Sequence, residues 1–337
     1  MRRGIFLPLL LAIVGPRAWA GAPAGRAEAL VRAFHLSEAD LALLGAGKVV
    51  TRDLPAKDDN DVAIVGAARI DAPERTLLED PRELEVFLKD GPILQAGTFS
   101  SPPSVDDLAG LSLDAKDLRL SQRCRPGDCD FQLDAGGMDS VRRADWRAGS
   151  KGPSFLSLWK EAIVETITSY QRDGRMAVYL DNQPAESVRE ALERSLADSP
   201  YLPLDTPFMR YLLDYPNAPL ADTEDVFYWT KERVREPVVS LHHLVIHKDL
   251  DGKATDYVIA DKHISDSHYF LATVELVWLI DEPGDKASFW AVRLNRTRID
   301  PPREMRGILL GRIRKGMRKA MHQSLTDTKL SLEAMAP

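Results

Sequence analysis

Residues 301–329 read PPREMRGILLGRIRKGMRKAMHQSLTDTK, and this stretch decides the fold. Pro301 and Pro302 stop the preceding segment and pre-set the backbone for a helix start. At about 100° per residue, Met305, Leu309, Ile313, Gly316, Met317, Ala320, Met321 and Ser324 share one face. Arg312, Arg314, Lys315, Arg318, Lys319 and His322 occupy the other. The pattern predicts a helix over 303–329, roughly 40 Å long at ~1.5 Å per residue, lying on a sheet with its basic side in water. Its apolar side mixes methionines with Gly316 and Ala320. Met adapts to irregular shapes, so this face suits either the lining of a cavity or close packing on a twisted sheet.

The sheet precedes the helix. Val226–Arg233, Val238–Lys248, Asp256–His263, Tyr269–Asp281 and Ser288–Ile299 read as strands joined by tight turns such as Pro283-Gly284-Asp285. Lys48–Leu54 and Val62–Ile70 add two strands near the N-terminus, and Ile93–Phe99, Leu118–Gln122 and Asp130–Asp134 are further strand-like runs. Glu74–Lys89 is helical in composition but interrupted by Pro81. Phe155, Trp159, Ile163, Ile167 and Tyr170 recur at helical spacing, as do Val188, Ala191, Leu192 and Leu196, and then Phe208, Tyr211, Leu212 and Tyr215. Residues 153–224 therefore form a helical insertion, broken by a short strand at Met176–Leu180. An N-terminal helical segment is expected within 21–45, with Ser37 as N-cap and Gly45 as stop. The expected class is α+β, an antiparallel sheet with a helical insertion and a long C-terminal helix.

The first twenty residues carry a different message. Arg2 and Arg3, the uncharged run Ile5–Gly15 and Ala18-Trp19-Ala20 follow the order of a signal peptide, with cleavage expected after Ala20. The apolar run is too short to span a bilayer. Loss of Arg2, Arg3 and Arg17 moves the formal charge from −7 to about −10, an acidity that argues against nucleic acid as a partner. Cys124 and Cys129 flank Arg-Pro-Gly-Asp, and in an oxidising compartment this spacing reads as a small disulfide loop. A periplasmic or secreted location follows.

Candidate chemistry is sparse. His242, His243 and His247 fall on one strand; alternation places His243 and His247 on one face and His242 on the other. His243 and His247 with His263 or His268 could bind zinc, but no compact ligand motif is present, and no metal or cofactor is expected. Glu275 sits mid-strand opposite Ala272, Val274, Leu276 and Trp278, the expected core side, so Glu275 faces either water or a cavity in which it could act as a base. Arg293 and Asn295 on the last strand could hold a ligand's polar head. No nucleophile elbow occurs, and Ser265-Asp266-Ser267-His268 is adjacent in sequence without implying triad geometry.

Two strands, helical material, a run of antiparallel strands and a long final helix resemble the START lipid-transfer and birch-pollen-allergen-like superfamily. The likeness rests on Lys48–Asp71 and Val238–Lys329, within a domain spanning 46–337. Residues 263–270 and 294–300 also resemble pieces of exported bacterial proteins. The resemblance implies a helix-grip fold, a bent sheet wrapped on the C-terminal helix with a lipid-like ligand held between them. His243, His263, His268, Glu275, Arg293, Asn295, Met317 and Met321 would then line the cavity, and Phe208–Tyr215 could form a lid. The basic side of the helix could touch a membrane surface. Two other functions fit the same residues: a cyclase or hydrolase using cavity histidines and Glu275, and an envelope interaction module with a solid core.

Overall fold

The structure, a computed structural model, describes residues 33–56, 58–79, 87–88, 92–147, 152–181, 185–197, 206–234, 236–250, 255–281, 287–299 and 306–336. The expected signal peptide and its cleavage point lie outside these residues.

Local chemistry sets the first elements. Ser37 and Asp40 form a reciprocal capping box, each satisfying the other's backbone N–H, and start helix α1 (Glu38–Gly45). Strands β1 (Val50–Asp53) and β2 (Asp61–Ile70) follow, then a short helix α2 (Arg75–Glu79) and strand β3 (Ile93–Thr98). The next two elements differ from the expected strands. Residues 118–122 lie in helix α3 (Ala115–Arg123), because the Asp114 carboxylate accepts from the Lys116 and Asp117 N–H groups at 2.8 Å and nucleates a turn. Residues 130–134 form no strand; Asp134 caps helix α4 (Ala135–Arg143) in the same way. Helix α5 (Phe155–Asp173) ends at Gly174, whose φ of +72° closes it in the left-handed region. The two-residue strands β4 (Val178–Tyr179) and β5 (Glu186–Ser187) pair with each other, and α6 (Val188–Ala197) and α7 (Pro207–Asp214) complete the insertion.

Strands β6 (Thr223–Arg233), β7 (Pro237–Leu250), β8 (Thr255–Asp266), β9 (Phe270–Asp281) and β10 (Phe289–Ile299) then run as an antiparallel meander, and helix α8 (Arg306–Met335) ends the chain. Among the described residues, eight strands form one antiparallel sheet in the order β1-β2-β10-β9-β8-β7-β6-β3. The N-terminal strands thus flank the meander on both sides. The class is α+β, as expected. Cys124 and Cys129 are disulfide-bonded, and no helix among the described residues is long and apolar enough to cross a membrane.

Both faces of the sheet are buried. On the front, Ile64 and Ala68 of β2, Val277 and Leu279 of β9 and Ala291 of β10 pack with Ile313, Met317, Met321 and Leu325 of α8. On the back, Val65, Val274, Leu276, Val292 and Leu294 pack under α1, α6 and α7, while Trp229, Val239, Leu241 and Ile264 pack under α4 and α5. Expecting a single core side for β9 was therefore too simple: Glu275 does not face bulk water but is 3% exposed on the front face.

Gly66 sets how closely α8 approaches the front. A Cβ built there would lie 2.7 Å from Leu325 Cδ1 and 2.8 Å from Met321 Sδ. Gly66→Val should therefore wedge the helix from β2 and lower stability by about 1–3 kcal/mol, the usual cost of overpacking. Urea denaturation checks this; an unchanged midpoint would mean that α8 does not seat on β2.

Candidate functional site

Helix α8 lies along β1 and β2. Beyond it, the front of the sheet encloses a cavity of about 1280 Å³. Val226, Val238, Leu244, Ile246 and Phe270 form its apolar wall on the sheet, Leu78 and Leu88 add to it, and Ile313, Met317 and Ala320 close it from α8. Arg312, Lys319 and Gln323 stand on the helix side, so part of the helix surface expected to face only water also borders the cavity.

A polar belt crosses this wall. Register alone assembles it: Tyr228 pairs with His242, and His242 pairs with His263. One step along, Asp261 pairs with Glu275, which pairs with Asn295. The Tyr228 hydroxyl donates to Asp261 Oδ2 at 2.7 Å, and the Tyr228 ring stacks on His242 with centroids 4.3 Å apart. His242 Nδ1 lies 3.1 Å from Asp261 Oδ2, and its Nε2 lies 2.9 Å from Thr230 Oγ1. His263 Nδ1 is 2.8 Å from Asp266 Oδ1. That last contact joins residues three apart, which strict alternation would send to opposite faces. A bulge resolves it: the pairing steps from Leu241↔Ser265 to His242↔His263, leaving Ile264 as the extra residue. Bulges re-aim side chains in this way, and this one returns Asp266 to the face of His263.

The belt ends beneath α8. Arg293, fully buried, donates to the Glu275 carboxylate, the Phe87 carbonyl and Ser324 Oγ, and its guanidinium lies 4.9 Å from the Phe87 ring centre. Thr297 donates to Asn295 Oδ1 at 2.8 Å. Burial pushes Glu275 up despite Arg293 beside it, and burial raises Glu232, which lines the cavity near both histidines. For His263, burial disfavours charge, but Asp266, Asp261 and Glu232 outweigh it and raise the pKa to about 9. Burial opposes the Asp261 charge as well, yet the two histidines and the Tyr228 hydroxyl hold its carboxyl below the usual range.

His243 belongs to a separate network on the back. Its Nε2 meets Asp225 Oδ1 at 2.7 Å, and its Nδ1 meets the Tyr170 hydroxyl at 2.8 Å. The carboxylate makes Nε2 the donor, so Nδ1 accepts from Tyr170 and the ring is neutral. Tyr211 donates to the same carboxylate at 2.6 Å, and buried Lys262 donates to the Leu212 carbonyl. Burial depresses Lys262 to about 7 and His243 to about 4.

The structure thus brings together His263, Glu275, Arg293 and Asn295 on the front face, with Met317 on the cavity and Met321 against β2. His243 is not with them, because alternation sends it to the back. Nor is His268, whose Nδ1 contacts the Asp130 carbonyl at 2.9 Å and whose ring meets Phe131. Helix α7 is no lid: Phe208 stacks on His247 and packs with the back-face core. Reading the sequence missed Tyr228, Thr230, Glu232 and Asp261, and it named His242 and Asp266 without giving either a place in the site. A signal for most of them was present, since Tyr228, Thr230 and Glu232 alternate on β6 and Asp261 and His263 on β8.

Neutral His243 makes the fold acid-sensitive. The unfolded chain protonates it near 6.5 and the folded protein only near 4, so stability should fall as pH drops through that window. Tyr170→Phe should cost about 1–3 kcal/mol at pH 7 by leaving a buried nitrogen unpaired. Denaturant titrations from pH 4 to 8 check both, and a flat profile would contradict a neutral His243 in the fold. In comparisons with known proteins, no protein-family model, no curated protein and no solved structure matches this chain.

Proposed function

We propose that the mature protein is an exported binder or carrier of an apolar, lipid-like ligand held between the sheet and α8. The cavity carries this reading. At about 1280 Å³ it exceeds the roughly 300–1,000 Å³ typical of pockets for drug-sized molecules, so its occupant is bulky or long-chained. Apolar side chains dominate one stretch of the wall and the polar belt another, an arrangement that would fix a ligand with one polar end. The element order supports a helix-grip fold of START-like type with the sheet curving around α8, and the insertion serves as backing for the sheet. The N-terminal pattern and the disulfide support export to the periplasm or beyond. Arg312 and Lys319 beside the cavity suit contact with anionic headgroups during loading.

One observation favours a second reading. His242, Asp261, His263 and Glu275 share a single wall, the convergence that a hydrolase or cyclase needs. A solid interaction module, by contrast, has no use for a cavity of this size.

Native mass spectrometry with organic extraction, on mature protein purified from its own periplasm, tests the carrier reading directly. A stoichiometric co-purifying lipid is expected. Gly316→Phe supplies the paired control, because a Cβ at Gly316 meets nothing within 4 Å and the residue borders the cavity. The variant should fold normally yet bind a fluorescent fatty-acid probe at least tenfold more weakly, about 1.4 kcal/mol. No lipid in the wild type and no probe binding by it would overturn the carrier.

A further inference from the structure

We propose that His242, Asp261 and His263 form a divalent-metal site of the zinc class on the cavity wall. One ligand atom from each residue lies within 4.8 Å of the other two. Zinc bonds of about 2.0–2.1 Å need a modest inward movement of these side chains, and all three already border one space, His242 and His263 from paired positions on β7 and β8 and Asp261 two residues along β8 from His263. Two imidazoles and a carboxylate suit zinc better than calcium or magnesium, which prefer all-oxygen sets.

The surroundings supply a second, independent argument. Metal-binding imidazoles characteristically give their remaining N–H to an oxygen acceptor, and metal-binding carboxylates are themselves hydrogen-bonded. Each of the three has such a partner here. Asp266 takes His263 Nδ1 and leaves Nε2 for the metal. Tyr228 donates to Asp261 Oδ2. Thr230 Oγ1 sits at His242 Nε2, leaving Nδ1, on the Asp261 side, for the metal. Metal on Nδ1 moves the His242 proton to Nε2, where Thr230 can accept it. The bulge at Ile264 that turns Asp266 to this face thereby completes the outer support of the site.

All three ligands line the cavity. A cation on three protein ligands keeps at least one position open, the pattern of catalytic and ligand-binding zinc rather than structural zinc. That position faces the space assigned to the ligand, where the cation would polarise an oxygen atom of the ligand or a bound water. This site stands apart from the carrier reading, since zinc binding can be measured with no apolar ligand present.

The test is calorimetric titration of the chelator-treated mature protein with zinc chloride alone. One equivalent should bind. His263→Ala and Asp261→Asn should abolish binding, Asp266→Asn should weaken it about 10–100-fold, and His322→Ala on the exposed side of α8 should leave it unchanged. Because changes at buried Asp261 can disturb folding, cobalt substitution of the wild type gives a reading that needs no variant. Cobalt should bind with one equivalent, show ligand-field bands of a low-coordinate nitrogen and oxygen site without a thiolate band, and be displaced by zinc. No stoichiometric uptake by the wild type, or full uptake by His263→Ala, overturns the site.

Discussion

A sheet that is apolar on both faces must be covered on both, and the width of the cover decides what remains open. Eight strands at about 4.8 Å spacing make a sheet nearly 40 Å across, whereas one helix with its side chains is only about 10–12 Å wide. Among the described residues, the back has five helices to spread over it, α1 and α4–α7, and packs solidly. The front has α8 with help from α2, Phe87 and Leu88. Helix α8 seats at the β1–β2 end, held there by Gly66 and the Met321 and Leu325 side chains. The uncovered remainder, over β3 and β6 to β9, is the cavity.

The same strands carry two polar networks that never meet. His242 and His243 are consecutive, so the pleat directs one to the cavity and the other to the helical layer. Each network closes on its own partners: Asp261, Tyr228 and Thr230 on the front, Asp225 and Tyr170 on the back. Buried polar groups demand such closure, since an unpaired one costs a kcal/mol or more. The two nevertheless differ in kind. The back network lies among packed aromatic rings and rigidifies the joint between α5, α7 and the sheet. The front network borders open space, where a third party can enter it.

How much of this was legible depended on the range of the forces involved. The five meander strands, the three insertion helices and the C-terminal helix all carry strong periodicity, and the sequence locates them within a few residues. Helices α3 and α4 escaped because they are short and polar on average, and their starts are set by the capping carboxylates of Asp114 and Asp134. Met317 and Met321 were placed on the buried side of α8 correctly. Histidine parity on β7 was also read correctly, yet which parity faced the cavity depends on where the insertion packs, and periodicity cannot say that. The meeting of His242 with His263, and of His263 with Asp266, depends on cross-strand register and on one bulge. These are properties of pairing, invisible in either strand alone.

The sheet order has one more consequence, for the path by which the chain becomes this structure. Strands β2 and β3 leave the ribosome early, but their partners β10 and β6 belong to the C-terminal half: Ile70 pairs with Phe289, and Gly97 with Trp229. Contacts this distant in sequence are slow to form. Strands β1 and β2 can pair with each other early, but β3 must wait for β6 and β2 for β10, while the meander can zip up from its own hairpins. A chain with that order joins β1 and β2 to the meander only once β10, made near the end of synthesis, is available.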